Sequence, residues 1–258
     1  MQANKQPSSQ KPSSATPAAP RLASTVVVLR PGSGTDDEVF MLRRSARSAF
    51  MPDALVFPGG KVDPGDGPSG SDEAFEQAAK RECEEESRIV LGSRTLRWFD
   101  TWTTPSAEPR RFIARFYVIR LAAGEGSKAQ ADGYETHGGQ WATAGDFLAL
   151  WEREEVDLPP PTLCTLLRLQ DPAWWEALEQ SKAYSEAALR ETILPKWELR
   201  PPVGPPDLEY PEGDCHHVFL PHDREYAAIK GTSGSAPERV QGLPTRMIRL
   251  KKVWRPLP

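Results

Sequence analysis

The segment GGKVDPGDGPSGSDEAFEQAAKRECEEE (residues 59–86) joins a glycine turn to a stretch of strong helix formers. The turn lets the backbone approach a ligand or a metal closely where a Cβ atom would obstruct it. Ala, Glu, Gln, Lys and Arg dominate residues 72–87 and predict one helix there. Glu82, Glu85 and Glu86 stand at positions i, i+3 and i+4, so their carboxylates share one stripe of that helix.

This acidic stripe has two interpretations. Hard divalent cations such as Mg²⁺ prefer oxygen ligands, and a carboxylate cluster on a rigid helix commonly holds them beside a phosphate-bearing substrate. Alternatively, the stripe is a solvated acidic helix face, which is the usual explanation of a Glu-Glu-Glu run taken alone. The sequence around the helix bears on the choice.

Runs of β-branched and aromatic residues predict strands on both sides of the helix. Three short strands precede the glycines and two longer ones follow the helix, at residues 24–29, 38–43, 54–57, 96–103 and 111–121. Three further helices are predicted near residues 145–153, 161–170 and 172–192. We therefore expect an α/β protein with a mixed β-sheet and C-terminal helices.

The glycine turn, an upstream acid, Arg81 and the three glutamates resemble the Nudix box, whose usual form is GX5EX7REUXEEXGU with U a bulky apolar residue. The resemblance covers roughly residues 24–170 and implies a Nudix-type α/β/α sandwich. It also implies Mg²⁺ as the cofactor, with Mn²⁺ as an alternative. The implied metal ligands are Glu82, Glu85, Glu86 and the carbonyl of Gly60, with Glu85 also catalytic and Arg81 orienting a carboxylate by a charge-assisted bond.

Two positions depart from the box pattern. Asp66 stands six residues after Gly60, where the box has its first Glu, whereas Glu73 keeps the X7 spacing to the arginine; either acid could fill this position. The inserted residues 67–71 should form a mobile loop. Arg88 replaces the box glycine, which most easily adopts the left-handed turn after a helix, so we expect a different exit loop or reduced activity.

Candidate functional residues also lie outside the box helix. Glu135 falls in a loop-like stretch where many Nudix enzymes place an additional catalytic acid, and we expect it to be a general base or an extra metal ligand, unless it is a surface carboxylate. Glu73 is the other candidate for proton removal. Arg43 and Arg44 would bind substrate phosphates, because guanidinium forks match phosphate oxygens, or are plain surface charges. Gly59 and Lys61 complete the predicted substrate contacts.

Three other groups of residues have both a functional and a structural interpretation. The aromatic residues at 98, 99 and 102 would stack a base or belong to the core. Cys83 occupies the apolar U position and is expected to be a core thiol rather than a nucleophile. The stretch 215–222, with one cysteine and three histidines, would bind zinc or form an ordinary strand.

The substrate is suggested by residues 41–60, 111–117 and 135–141, which resemble the Nudix branch that contains coenzyme A diphosphatases. Asp53 stands where a glycine of that branch's signature would fit. Coenzyme A or acyl-CoA is the leading expected substrate, and ADP-ribose, a dinucleotide or a nucleotide sugar follows. A catalytically weak Nudix module that binds a nucleotide or a partner is an alternative of another class, and a globular protein with a merely acidic helix is a third.

Composition limits the partners. The 258 residues carry a net charge of −4, which gives no electrostatic reason to expect a nucleic-acid partner. No apolar run approaches the ~20 residues of a membrane-spanning helix. Three widely separated cysteines indicate reduced thiols, and we expect a soluble, cytoplasmic protein whose partner is a small-molecule diphosphate. A homodimer is an expectation from fold analogy alone.

Four regions are expected along the chain. Residues 1–22 are rich in Ser, Pro, Gln and Ala and predict a disordered tail. Residues 23–155 form the Nudix domain, and residues 156–194 a helical appendage packed on it. Residues 195–258 are crowded with prolines and predict an irregular C-terminal extension with two strand-like segments.

Overall fold

The computed structural model describes residues 19–48, 51–106, 108–131, 133, 136–171, 192–193, 195–201, 214–229, 244–250 and 253–257. Most of the expected N-terminal tail (1–18) and of the third C-terminal helix (172–191) lie outside these residues. Among the helices that are described, none is long and apolar enough to cross a membrane.

A large mixed sheet forms the centre of the fold. Its strands are β1 (Arg21–Pro31), β2 (Asp37–Arg44), β3 (Leu55–Val56), β4 (Gly59–Lys61), β5 (Arg97–Thr103), β6 (Phe112–Arg120), β7 (Thr136–Thr143) and β8 (Thr192–Ile193). They run in the order β3-β2-β1-β6-β5-β8, with β4 paired to β1 and β7 paired to β2. The pairs β1–β6 and β5–β8 are parallel and the other pairs are antiparallel.

Helices cover both faces of this sheet. Helix α1 (Asp72–Ser87) packs on one face, where Phe75, Ala79 and Cys83 meet the even-numbered residues Val26 and Val28 of β1. The odd-numbered residues of β1 point to the opposite face, because successive side chains of a strand alternate. There they pack with α2 (Ala144–Glu152) and α3 (Pro160–Leu169). The predicted α/β/α sandwich with a mixed sheet is confirmed.

Helix bounds agree with the sequence expectation, whereas strands β4, β7 and β8 of the main sheet were not expected. Helix α1 has the predicted bounds, and α2 and α3 each begin one residue earlier than expected. The loop-like stretch expected around Glu135, residues 132–139, is a strand from Thr136 onward, because this part pairs with β2 as strand β7. Order also begins earlier than expected, since β1 starts at Arg21 and pairs there with β6.

The C-terminal region contains a second sheet instead of an irregular extension. It is antiparallel, with the order β12-β11-β10-β9, and its strands are β9 (Lys196–Arg200), β10 (Cys215–Phe219), β11 (Arg246–Leu250) and β12 (Val253–Leu257). The two strand-like segments expected around residues 217–220 and 246–254 coincide with β10 and with β11 and the start of β12. Strand β9 and the pairing of these strands into one sheet were not expected in a region with so many prolines. In the described residues the prolines flank strands, as Pro195 and Pro221 do, or lie in the edge strand, as Pro256 does.

This second sheet shares a hydrophobic core with the main fold. Val218, Met247 and Trp254 belong to the same buried cluster as Trp151 and Leu163 of the helical layer. The indole nitrogen of Trp151 donates a 2.9 Å hydrogen bond to the carbonyl of Trp254. The C-terminal sheet is therefore built onto the α2–α3 side of the sandwich.

Candidate active site

Strand β4 brings the two box glycines against both β1 and α1. Gly59 and Gly60 lie opposite Thr25 and Ser24 in antiparallel register. A Cβ atom at Gly59 would overlap the backbone of β1, and one at Gly60 would overlap the carboxylate of Glu82. Glycine is therefore required at position 59, whereas a Cβ atom at position 60 would have to displace the Glu82 carboxylate, so Gly60 keeps open the space beside Glu82.

Glu86 ties the end of α1 to this turn. Its side chain is buried, and its Oε2 accepts a 2.9 Å hydrogen bond from the backbone N–H of Gly59. The bond spans 27 residues of sequence, so it fixes the turn against the helix.

Arg81 connects the carboxylates at the mouth of the site. Its Nη1 donates to Glu82 at 2.9 Å and to Glu85 at 3.1 Å, and its Nη2 donates to the carbonyl of Lys61 at 2.9 Å. Its Nε and Nη2 form a fork on Asp66 at 2.9 and 3.0 Å. These charge-assisted bonds hold the guanidinium in one place. The carbonyl of Lys61 was not anticipated as a partner.

Asp66, rather than Glu73, pairs with Arg81. Asp66 is buried in the 3₁₀ turn Pro64–Asp66, whereas Glu73 is exposed in the first turn of α1. The bonds from Arg81 lower the pKa of Asp66, although its burial opposes them. An eight-residue separation on a helix amounts to about 12 Å, which keeps Glu73 away from the guanidinium. The sequence spacing left Asp66 and Glu73 as alternatives, and the contacts of Arg81 select Asp66 as its partner.

Glu82 and Glu85 differ in their environments. The Glu82 side chain is 17% exposed, and burial raises its pKa, while the bond from Arg81 acts in the opposite direction. The Glu85 side chain is 59% exposed. Glu82 is thus a desolvated carboxylate that a cation would stabilise, and Glu85 faces the solvent from which substrate and water arrive.

The donor set fits a hard divalent cation. Glu82, Glu85 and Glu86 are carboxylates, the type of ligand that Mg²⁺ prefers. Glu82 lies beside the space left open by Gly60, Glu86 binds the N–H of Gly59, and Glu85 shares the guanidinium of Arg81 with Glu82. In the described part of the chain, no three acidic, histidine or cysteine side chains already form a complete metal cluster. Arg81 and the N–H of Gly59 hold these carboxylates instead.

A cleft of about 720 Å³ runs along the outer side of α1. Arg81, Glu85, Asp66 and Glu73 line it, together with Lys80. Glu73 therefore faces the same cleft as Glu85, about three helical turns away. Glu82 and Glu86 lie on the glycine side of the helix and do not line this cleft.

The predicted phosphate-binding cations lie at the end of β2 and on β4. The Nε of Arg43 is 3.9 Å from the carboxylate of Asp53, and both side chains are exposed. Arg44 donates to the Oγ of Ser48 at 3.1 and 3.3 Å. Lys61 is exposed on β4 next to the glycine pair. The contacts described for these three side chains do not join them to the box carboxylates.

Glu135 lies outside the described residues, as do the side chains of Thr136 and His137. The backbone of His137 is opposite Arg43 in the β2–β7 pair. The segment that carries Glu135 therefore leads into a strand beside the predicted phosphate-binding arginine.

Arg88 adopts the backbone conformation expected of the glycine it replaces. It caps α1 with φ 60° and ψ 16°, in the left-handed region, and its N–H donates to the carbonyl of Glu84. Asp53, the other residue at an expected glycine position, also has a positive φ of 61°. The expected different turn after α1 is not observed at this cap. Arg88 adopts the turn that glycine would adopt, and the cost is the contact of its Cβ atom with the backbone carbonyl in the left-handed conformation.

The structural interpretations of the remaining groups hold. Phe99 and Trp102 are buried in the core, and the ring of Trp98 is covered by the guanidinium of Arg115 at 4.0 Å. Cys83 is a buried free thiol. Cys215 and His217 are 3.6 Å apart on β10, with no metal-binding cluster around them in the part of the chain that is described.

Comparison with known proteins identifies the Nudix family, which the sequence motif also resembles. The model of the NUDIX domain matches residues 19–161, which is more than half of the chain. Nudix hydrolase 7 of Caenorhabditis elegans is 26% identical over 185 residues, or 57% of this chain and 60% of the relative's length. This chain thus spans well under two thirds of that relative.

A solved structure shows the same fold. The crystal structure of a NUDIX hydrolase from Alicyclobacillus acidocaldarius is 23% identical, with a TM-score of 0.55, and the similarity covers 67% of this chain and 99% of that one. An identity this low supports the fold alone. Because the NUDIX domain model matches more than half of the chain, the chain belongs to the Nudix family.

Proposed function

We propose that this protein hydrolyses the phosphoanhydride bond of a nucleoside-diphosphate-linked metabolite in a Mg²⁺-dependent reaction. The observation that carries the proposal is the contact network of Arg81, which gathers Asp66, Glu82 and Glu85 beside the glycine turn. Four groups separated by up to 19 positions meet at one end of α1 (66 to 85). A solvated acidic helix face would not require this convergence.

Metal binding is assigned to Glu82, Glu85 and Glu86, with the carbonyl of Gly60 as a further oxygen. Bound Mg²⁺ would neutralise diphosphate charge and lower the pKa of a water molecule. Mn²⁺ has similar ligand preferences and is a second candidate.

Arg81 has a positioning role in this proposal. Its fork on Asp66 fixes the guanidinium, and its remaining N–H groups orient Glu82 and Glu85. Glu86 holds the glycine turn through Gly59. The site is thus ordered before substrate arrives, which lowers the cost of reaching the reactive geometry.

Proton removal from the attacking water needs an exposed carboxylate. Glu85 is solvent-facing and Glu73 lies along the same cleft, so either reaches water from the substrate side. Glu135 is the third candidate, because its segment leads into β7 beside Arg43. Arg43, Arg44 and Lys61 are proposed to contact substrate phosphates, with the backbone of Gly59 and Gly60 beside them.

Coenzyme A or an acyl-CoA is the leading proposed substrate, on the resemblance of residues 41–60 to coenzyme A diphosphatases. Cleavage would yield phosphopantetheine, or its acyl form, and adenosine bisphosphate. ADP-ribose, dinucleotides and nucleotide sugars are the other candidates. The left-handed cap at Arg88 and the pairing of Asp66 favour an enzyme over a weakly catalytic binding module, because neither departure from the box disrupts the site.

Location and assembly belong to the same proposal. The three cysteines are free and buried, which supports a reducing, cytoplasmic location. A homodimer is proposed by fold analogy, and light scattering of the purified protein would test it.

A product assay tests the function. The purified chain is incubated with Mg²⁺ or Mn²⁺ and a panel of coenzyme A, acyl-CoA, ADP-ribose, dinucleotides and nucleotide sugars, beside the Glu85→Gln variant. We expect cleavage of at least one substrate, and a loss of about 100-fold or more in the variant with an unchanged fold. An unchanged rate in Glu85→Gln would reject the site. Tight binding of a panel member without any turnover would favour the binding module.

A further inference from the structure

We propose that Arg249, on β11 of the C-terminal sheet, is a positioning residue for the glycine turn of the candidate active site. The proposal deepens the proposed function and rests on it where Mn²⁺ binding and turnover are measured. Its first link is an ion pair that spans 92 residues of sequence: Nη2 of Arg249 donates to Oδ2 of Asp157 at 2.9 Å. This pair joins the second sheet to the segment that follows α2.

The second link joins Asp157 to strand β3. The backbone carbonyl of Asp157 accepts a 2.9 Å hydrogen bond from the N–H of Leu55, and Ala54 forms a parallel bridge with Asp157. Strand β3 has two residues and ends the order of the main sheet, so Asp157 pairs with its outer edge. A strand this short depends on partners on both sides for its position.

The third link runs from β3 to the carboxylates. Gly59 follows Leu55 by four residues, and its N–H donates to Glu86 at 2.9 Å. Between them, the carbonyl of Pro58 accepts a 2.9 Å bond from the N–H of Val26. Residues 56–58 join β3 to the turn that holds Glu86 and leaves room for Glu82, so a shift of β3 would act on this turn against the bond that ties Pro58 to β1.

Burial makes the ion pair effective as a brace. The side chain of Asp157 is 12% exposed, and desolvation raises its pKa while Arg249 opposes that rise. Without the guanidinium, the carboxylate would take up a proton or turn towards water, and the segment at 157 would lose its tie to the C-terminal sheet. Because the carbonyl that holds Leu55 belongs to the same residue, the disturbance reaches β3 directly.

The chain offers a matched control in Arg255. It also lies on the C-terminal sheet and also reaches the region after α2, where its Nη2 is 3.4 Å from Glu154 and 3.3 Å from the carbonyl of Glu152. Its guanidinium lies over the ring of Trp151 at 4.5 Å. These contacts brace α2 and not β3, so Arg255→Met removes a comparable sheet contact without touching the proposed route.

The experiment compares full-length wild type with Arg249→Met, Arg249→Lys and Arg255→Met. Three quantities are measured: hydrogen exchange of the Leu55 and Gly59 amides, Mn²⁺ affinity by electron paramagnetic resonance, and kcat and KM on whichever panel substrate is cleaved. For Arg249→Met we expect about 10-fold faster exchange at both amides, several-fold weaker Mn²⁺ binding and about 10-fold lower kcat with little change in KM. Arg249→Lys should recover part of each effect, and Arg255→Met should match wild type in all three.

Equal exchange and equal Mn²⁺ affinity in Arg249→Met and Arg255→Met would overturn the proposal. If Arg249→Met does not fold, Arg249→Lys is judged by the same comparison. If wild type cleaves no panel substrate, the proposed function fails while amide exchange still decides this inference. A loss of thermal stability alone, with wild-type exchange at 55 and 59, would likewise reject a positioning role.

Discussion

Arg168 and Arg81 both bind carboxylates, and burial separates the two sites. Arg168 donates to Asp100 at 2.6 Å, and the two side chains are only 2% and 7% exposed. Arg81 is 28% exposed and contacts Asp66, Glu82 and Glu85. A closed pair must neutralise its charges within the protein, whereas an open cluster can keep surplus negative charge for a cation from solution. Exposure and charge balance, more than residue type, therefore distinguish the structural pair Arg168–Asp100 from the candidate functional cluster around Arg81.

The largest effect is expected at the buried pair. Arg168→Met leaves the carboxylate of Asp100 buried without this guanidinium and should lower the free energy of unfolding by about 3–5 kcal/mol. Urea denaturation measures the change. The double variant Arg168→Met with Asp100→Leu should recover most of it, because no isolated charge remains. A loss below about 1 kcal/mol in Arg168→Met would contradict a structural role.

The open network should respond in the opposite way. Arg81→Gln should lower the unfolding free energy by about 1–3 kcal/mol, less than the change at the buried pair, because Arg81 is 28% exposed, although the substitution leaves the buried Asp66 without this guanidinium. It should nevertheless reduce kcat/KM by about 100-fold, since the carboxylates lose their orientation. Lys80→Gln is the matched control on the same helix, where Lys80 pairs with Glu76 instead. Equal kinetics in the two variants would remove Arg81 from the site.

A smaller effect is expected at the end of the box helix. Arg88→Gly should raise the unfolding free energy by about 1 kcal/mol, because glycine adopts the left-handed backbone without a Cβ penalty and loses part of that gain to chain entropy. Arg88→Ala keeps the Cβ and should bring no gain. Thermal unfolding compares the three proteins, and a glycine variant less stable than the alanine variant would disagree with the cap geometry.

The smallest effect is expected for thiol reactivity, at the buried cysteines on the two helices that carry Arg81 and Arg168. Burial raises the pKa of Cys83 on α1, and of Cys164 on α3, to about 12 in each case. The reactive thiolate is therefore scarce at pH 8, and labelling becomes faster only as the pH rises towards that value. We expect both cysteines to resist a thiol reagent in the folded protein at pH 8 and to react once urea is added. Rapid labelling of the folded protein would contradict their burial.

Local signals explain what the sequence predicted well. Helix α1 has its predicted bounds because helix formers fill residues 72–87, and the structure adds that the Ser71 side chain caps the helix by accepting from the N–H of Ala74. The carboxylate stripe follows from the helical period. Asp66 remained ambiguous with Glu73, because the motif spacing fits both and only the 3₁₀ turn brings one of them to Arg81.

Contacts between distant residues explain what the sequence did not predict. Strand β7 contains Gly138 and Gly139 and is a strand because β2 pairs with it. Strand β9 likewise depends on β10, which follows it after a proline-rich segment. The buried pair joins positions 68 residues apart, so no local pattern could indicate it.

A metal centre at the Glu82–Glu86 end of α1 can be measured directly through its affinity for Mn²⁺. Mn²⁺ titration followed by electron paramagnetic resonance would compare wild type with Glu82→Gln and with Glu84→Gln, a neighbouring exposed glutamate that lines only the outer cleft. We predict that one Mn²⁺ binds per chain, that Glu82→Gln weakens its affinity by about 10-fold or more, and that Glu84→Gln leaves it unchanged. Equal affinities in the two variants, or no bound Mn²⁺ in wild type, would contradict a metal centre at this end of α1.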